Sequence, residues 1–151
     1  MKQKPEIQKI QENMQPGAFS AEGFLGDDSR NLVDILREDD ETVQKLGYQH
    51  QDIAARMREL TKIAVPGLGR PTDAGIGMVS SEDHRGKIPC PFRDRYYADK
   101  RNTQFVSNKD GTTIYWTDLH IHMIEAHGFY EGKGSRFRLD PEILIRYLFE
   151  A

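Results

Sequence analysis

The chain has 151 residues and a formal net charge of -3, with 37% hydrophobic and 30% charged residues. This composition is within the globular range, and the length suits a single domain with its own core. No stretch approaches the roughly 20 apolar residues that cross a bilayer, and the first residues lack the apolar core of a signal peptide. The sole cysteine, Cys90, excludes an internal disulfide. We therefore expect a cytoplasmic protein that does not associate with membranes.

The charge is distributed unevenly along the chain. Residues 1–60 carry 8 Lys/Arg against 12 Asp/Glu, a balance of -4. Residues 84–109 carry 7 Lys/Arg against 2 Asp/Glu, a balance of +5. A localised basic segment influences the choice of partner more than the total charge does.

The first 65 residues predict a helical unit. Pro5 and an apolar periodicity predict a helix over 4–14. A glycine-containing loop over 15–28 follows, pinned by buried side chains. Three further helices are predicted, over about 29–38, from Asp39 or Asp40 to Gly47, and over about 50–64. The side chains expected to pin the loop are Phe19, Phe24 and Leu25.

The remaining chain changes from helical to β character. The glycines and prolines of residues 65–77 predict either a hinge between two halves or a loop over a site. Residues 78–81 and 87–92 could pair across a turn at 82–86. The clearest strands are residues 103–107 and 112–117. They flank Asn108-Lys109-Asp110-Gly111, a turn sequence typical of hairpins, and would bury Phe105, Ile114 and Trp116.

Residues 118–127 admit two interpretations. Asp118 as a cap, Gly128 as a stop and an apolar stripe predict a helix, whereas Ile121 fits a strand better. We predict the helix, and a final helix over about 141–150. The fold class is then α+β, in one domain over 1–151. An N-terminal helical unit packs on a small antiparallel sheet, which is closed by C-terminal helices.

The sequence Asp118-Leu119-His120-Ile121-His122 resembles the first-strand metal motif of the amidohydrolase superfamily. In a strand, His120 and His122 would point to one face and bind a divalent metal. That fold begins with the motif and continues for about 200 residues or more. Only 29 residues follow His122, so we exclude the family.

A local metal site without that fold remains an alternative. It would use His120 and His122 with His84 or Cys90, in the tetrahedral N/S coordination of zinc. Such a site would make the protein a small metal-dependent, hydrolase-like enzyme, with Glu125 or Asp118 as general base.

The helical interpretation weakens this alternative. In a helix, no two of His120, His122 and His127 have the i,i+3 or i,i+4 spacing of neighbouring side chains. His120 or His127 would pack beside the core, and the others would be exposed.

Cys90 has two interpretations of its own. Flanking basic residues could lower its pKa and make it a nucleophile. A single cysteine between apolar residues is more often a small core residue.

Residues 42–60 resemble a helix-turn-helix unit, with Gly47 at the turn, which implies DNA binding. The neighbouring acidic run Asp39-Asp40-Glu41 would repel phosphate, so we favour a plain helical hairpin.

The preferred function is a non-enzymatic binding or regulatory protein without a cofactor. Basic residues interleaved with aromatics suit nucleic acid, and they equally suit a protein partner. We call the predicted contact residues the basic aromatic surface. They are Arg85, Lys87, Arg93, Arg95, Tyr96, Tyr97, Lys133 and Arg136.

Overall fold

A computed structural model describes residues 3–15 and 23–149 of the chain. These residues form an α+β fold, as predicted, with helices before and after an antiparallel sheet. None of the helices in these two ranges is both long enough and apolar enough to cross a bilayer. The elements are α1 (Pro5–Asn13), α2 (Leu32–Lys45), α3 (His50–Ala64), a 3-10 turn (Val65–Gly67), β1 (Thr72–Asp73), β2 (Gly77–Pro89), β3 (Tyr97–Ser107), β4 (Thr113–Thr117), α4 (Asp118–His127) and α5 (Pro141–Phe149).

The sheet has the order β1-β2-β3-β4 and is dominated by the long β2–β3 hairpin. Its register runs from Gly77 opposite Ser107 to Pro89 opposite Tyr97. We call residues 90–96, which join these strands, the hairpin loop. Strand β4 pairs with residues 102–106 of β3, so no third strand of the described residues pairs with the distal half of the hairpin.

The predicted turn at residues 82–86 was wrong. This segment belongs to β2, which pairs with β3 on both sides of it. Residues Arg85 and Gly86 form a bulge between the pairs His84–Lys100 and Lys87–Asp99, and Gly86 takes φ 95°. A glycine that suggested a turn therefore marks an irregularity inside a strand.

One face of the sheet packs against the helices. Val79, Phe105 and Ile114 lie opposite one another on adjacent strands and are all buried, which confirms part of the predicted core face. Trp116, also buried as predicted, donates from Nε1 to Thr61 Oγ1 of α3 at 2.9 Å. This bond satisfies the indole N–H inside the core.

The helices largely follow their predicted positions, with one exception. The two helices predicted between residues 29 and 47 are the single helix α2, because Asp39 is not a cap. Asp39 lies in the middle of α2, and its carboxylate is buried. It accepts hydrogen bonds of 2.8 and 3.0 Å from the Arg138 guanidinium. Phe24 and Leu25 are buried as predicted, and Phe19 lies outside the described residues.

Asp28 fastens the connection between α4 and α5 to the N-terminal part of the chain. Its side chain is 4% exposed and accepts the Lys133 backbone N–H at 2.9 Å. Arg30 donates to it from Nε at 2.9 Å and from Nη2 at 2.6 Å. The Arg30 hydrogen bond outweighs the effect of burial and lowers the pKa of Asp28 from 3.8 to about 2.

We expect Asp28→Asn to reduce stability in a pH-dependent way. Because the folded pKa of Asp28 lies below the unfolded value, its charge stabilises the fold above the unfolded pKa. That contribution is lost as pH falls through 4 towards 2. Urea unfolding should show a deficit of at most about 2 kcal/mol at neutral pH, shrinking in acid.

Asp34→Asn is the matched control, since it removes a carboxylate from an exposed ion pair with Arg37. Its effect should be small. A deficit in Asp28→Asn that is equal at pH 7 and near pH 3 would contradict the assigned role of the charge.

Candidate metal centre

Four potential metal ligands converge where the hairpin loop meets α4. We call Cys90, Asp94, His122 and His127 the ligand cluster. One ligand atom from each lies within 4.8 Å of the others. The hairpin loop supplies the sulfur and the carboxylate, and α4 supplies both imidazoles. These elements are distant in sequence, and the hairpin brings its loop back over the helix.

The backbone of the hairpin loop is tightly turned around the two ligands that it supplies. The Cys90 N–H donates to the Tyr96 carbonyl at 2.9 Å and closes the loop. Arg93 and Arg95, on either side of Asp94, take φ values of 61° and 64°. Left-handed backbone at two non-glycine residues is costly, and such strain concentrates at functional sites.

Asp94 joins the two histidines of α4. Its Oδ2 lies 2.7 Å from the Nε2 atoms of both His122 and His127. The histidines are five residues apart, which separates them by about 140° around a helix axis. Their rings nonetheless meet edge to face, with centroids 5.5 Å apart. The expectation that the helical spacing would keep these histidines apart was therefore wrong.

Two aromatic rings from the hairpin loop hold the imidazoles in place. Tyr96 stacks on His122 with centroids 3.7 Å apart, and Phe92 stacks on His127 at 3.9 Å. The side chains of His122 and His127 are only 14% and 20% exposed. His122 is thus half-buried rather than exposed as the helical interpretation predicted. The stacking leaves the Nε2 edge of each ring directed at Asp94.

The protonation tendencies of the cluster follow from its surroundings. Burial raises the pKa of the Cys90 thiol to about 12. Burial also opposes the charge of Asp94, but hydrogen bonds from His127 and His122 outweigh it and hold the pKa of Asp94 well below its usual value. Burial lowers the pKa of His127. Without a cation, the cluster therefore favours a thiol, a carboxylate and an uncharged imidazole at His127.

The metal ligands predicted from sequence divide into two groups. Cys90 and His122 lie in the ligand cluster, whereas His120 and His84 do not. His84 is an exposed residue of β2 opposite Lys100. Sequence reasoning missed Asp94 and His127 as ligands. The available signal was the H-x4-H spacing of His122 and His127, within the H-x3–5-H spacing of zinc sites.

His120 contributes to a different buried site. Its Nδ1 accepts the Thr117 backbone N–H at 2.9 Å, and Thr117 Oγ1 accepts the His120 N–H at 3.2 Å. This reciprocal pair caps the start of α4. On the other side of the ring, Nε2 contacts the buried carboxylate of Glu131. Because Nδ1 accepts a hydrogen bond, the ring proton is on Nε2, which donates a hydrogen bond to Glu131.

The predicted general bases are both engaged with cations outside the cluster. Asp118 pairs with Arg101 at 3.0 Å. Glu125 forms a two-pronged pair with Arg58, at 2.9 and 3.1 Å. Arg56 donates to the Leu148 carbonyl. Arg56 and Arg58, two cations of the segment that resembles a helix-turn-helix, therefore both bind groups of the protein itself.

The basic aromatic surface is only partly available to a partner. Lys87 pairs with Asp99, and Lys133 pairs with Glu38. The Arg136 guanidinium lies 5.4 Å from the Phe137 ring centroid, and Tyr96 covers His122. The members that are exposed and have no ion pair with the described residues include Arg85, Arg93 and Arg95.

Comparison with protein-family models, with curated proteins and with solved structures gave no match. The functional argument therefore depends on the geometry of the sites alone.

We predict that nitrogen NMR of the imidazoles will find the uncharged ring of His120 with its proton on Nε2. The capping bond from Thr117 and the contact with Glu131 both require that tautomer. Thr117→Val, which removes the side-chain acceptor of the cap but keeps the shape, should leave this tautomer unchanged. A proton found on Nδ1 would contradict the capping geometry.

Proposed function

We propose that the protein is a zinc-binding protein whose ion is held by Cys90 Sγ, Asp94 Oδ2, His122 Nε2 and His127 Nε2. The observation that carries the proposal is the convergence of these four atoms within 4.8 Å. One sulfur, two imidazole nitrogens and one carboxylate oxygen form a donor set that suits zinc.

The spacing of the ligand atoms is close to what zinc requires. Tetrahedral bonds of about 2.0–2.3 Å place neighbouring ligand atoms roughly 3.3–3.8 Å apart. Asp94 Oδ2 now lies 2.7 Å from each histidine Nε2. Binding of an ion would therefore lengthen each of these two distances by somewhat less than about 1 Å. Side-chain rotation can supply this change. On binding, the Cys90 thiol would lose its proton, and the ring protons that now face Asp94 would leave the Nε2 atoms, so that each imidazole keeps its proton on Nδ1.

The number of protein ligands favours a structural ion. Four protein ligands complete a tetrahedral shell, whereas catalytic zinc keeps a position for water. The ion would also stabilise the distal half of the β2–β3 hairpin, which pairs with no third strand in the part of the chain that the structure describes. Two-stranded hairpins are marginally stable alone. The ion would fasten the hairpin loop to α4.

A binding role for the organised loop is a second candidate. Arg93 and Arg95 flank the ligand Asp94, and both are exposed. In the zinc-bound cluster, the thiolate and the carboxylate together balance the charge of the ion. The two guanidinium groups then present uncompensated positive charge to an anionic protein or nucleic-acid partner. This keeps the binding function predicted from sequence and narrows its contact residues.

We expect the purified protein to bind one equivalent of zinc, measured by elemental analysis after stripping and reloading. Cys90→Ala, Asp94→Asn, His122→Ala and His127→Ala should each weaken binding by about 100-fold or more, since each removes a ligand or its charge. Cobalt should give the visible absorption of a tetrahedral ion and a sulfur charge-transfer band, which Cys90→Ala abolishes. At free zinc of 100 times Kd, the fold should gain about 2.7 kcal/mol.

His84→Ala is the matched control, because it removes an exposed histidine outside the ligand cluster. This variant should keep one equivalent of zinc. Loss of zinc in His84→Ala, or wild-type affinity in Asp94→Asn and His127→Ala, would refute the proposed ligand set.

For the second candidate, we expect the zinc-loaded protein to be retained on a polyanionic column and released by moderate salt. Arg93→Gln/Arg95→Gln should elute at distinctly lower salt, because each lost phosphate contact reduces the salt dependence. The control Lys45→Gln/Arg70→Gln removes the same charge from exposed residues outside 84–109. Equal elution of the two double variants would eliminate the binding role of the loop.

A further inference from the structure

A second candidate site lies beside the first turn of α4, separate from the ligand cluster. It is a pocket of about 560 Å³ between the β2–β3–β4 sheet and the connection that follows α4. This volume is within the range of small-molecule sites. Its lining contains no member of the ligand cluster among the described residues. Phe24, Leu119 and Met123, which belong to one buried apolar cluster, supply an apolar wall.

Glu131 is one of the residues that line this pocket, and its side chain is 4% exposed. Ser135 Oγ donates to its Oε1 at 2.9 Å, and His120 Nε2 donates to its Oε2. A carboxylate offers about four acceptor positions, so two remain. The carboxylate pairs with no lysine or arginine of the described chain. The nearby Arg138 donates instead to the Glu131 backbone carbonyl and to Asp39.

The fold holds Glu131 in this position at a cost. The residue takes φ 70°, in the left-handed region that non-glycine residues avoid. The Gly132 N–H donates to the Phe24 carbonyl at 2.9 Å, and the Leu139 N–H donates to the Tyr130 carbonyl at 3.0 Å. These bonds fix the backbone on both sides of the strained residue. A buried carboxylate that pairs with no lysine or arginine of the described residues is also unfavourable, and a bound cation would stabilise it.

The rest of the lining favours the same type of ligand. Glu82 adds a second carboxylate to the lining. Asp99 also lines the pocket but pairs with Lys87, and Lys100 is the positively charged side chain among the described lining residues. Tyr115 and Phe137 are 61% and 50% exposed and also line the pocket. Exposed aromatic rings of this kind stack on flat apolar groups and attract cations.

We infer that this pocket binds a small organic cation, a protonated amine or amidine on a flat apolar body, with the cationic group placed at the Glu131 carboxylate. The aromatic and aliphatic side chains contact the body of the ligand. The inference does not depend on the proposed zinc ion.

Three probes of matched shape and different charge test this inference. They are benzamidine, benzamide and benzoate, which are cationic, neutral and anionic. Isothermal titration calorimetry measures occupancy directly and does not rely on Trp116, the only tryptophan, whose indole bonds to Thr61 on the helix side of the sheet. We expect saturable binding of benzamidine to the full-length protein, at least about tenfold tighter than that of benzamide. Benzoate should not saturate.

Variants then assign the preference to one carboxylate. Glu131→Gln should remove the advantage of benzamidine over benzamide. Glu82→Gln, at an exposed position of the same pocket, should keep most of the advantage of benzamidine over benzamide. Ser135→Ala leaves the charge of Glu131 in place and should also keep this advantage. Circular dichroism checks the fold of each variant. If Glu131→Gln does not fold, the ranking of the three probes on the wild-type protein decides.

The inference is overturned if none of the probes binds or if benzamide or benzoate binds as tightly as benzamidine. It is also overturned if a folded Glu131→Gln keeps the preference. The same titration with His127→Ala separates the two sites. Benzamidine binding that survives loss of zinc shows that failure of the zinc proposal leaves this one intact.

Discussion

The junction of β4 and α4 at Thr117 determines the arrangement of both candidate sites. Thr117 is the last residue of the strand and the cap of the helix that follows it directly. Its backbone N–H and hydroxyl are both engaged by His120, so a histidine takes the place that glutamate usually holds in a capping box. The helix therefore starts at a defined residue, and its rotation relative to the sheet is set by that start.

This rotation distributes the histidines of α4. His120 and His122 are about 200° apart around the helix, and their rings accordingly reach opposite surroundings. His120 contacts Glu131 at the pocket, whereas His122 joins His127 and Asp94 under the hairpin loop. A continued strand would have placed His120 and His122 on one face. Helix α4 thus separates a cluster suited to a metal ion from a pocket suited to an organic cation.

Buried carboxylates organise the irregular part of the chain between α4 and α5. Asp28 binds the Lys133 N–H, Asp39 binds Arg138, and Glu131 binds Ser135. Each carboxylate accepts a hydrogen bond from a specific donor, as burial of a polar group requires. The connection has no helix or strand, and these side-chain contacts fix its shape in place of regular backbone hydrogen bonds. That shape places Glu131 at the pocket.

Local patterns alone predicted the α+β class, four of the helices, the β3–β4 turn and its buried face. Caps, glycine stops and apolar periodicity act over a few residues. Gly128 ends α4 as predicted, although Thr117 rather than Asp118 is its cap. Two local interpretations were wrong because a distant partner decided. Asp39 resembled a cap but pairs with Arg138 across the fold. Residues 82–86 resembled a turn but lie within strand β2 of the long hairpin, where Arg85 and Gly86 form a bulge.

The ligand cluster illustrates the same division. Cys90 and His122 were recognisable as candidates by residue type, and the spacing of His122 and His127 was compatible with zinc. Nothing in the sequence pairs Asp94 with histidines about 30 positions away, because only the register of β2 with β3 returns the hairpin loop to α4. Residue chemistry was thus readable from the chain, whereas the choice of partners depended on contacts between segments that local forces do not relate.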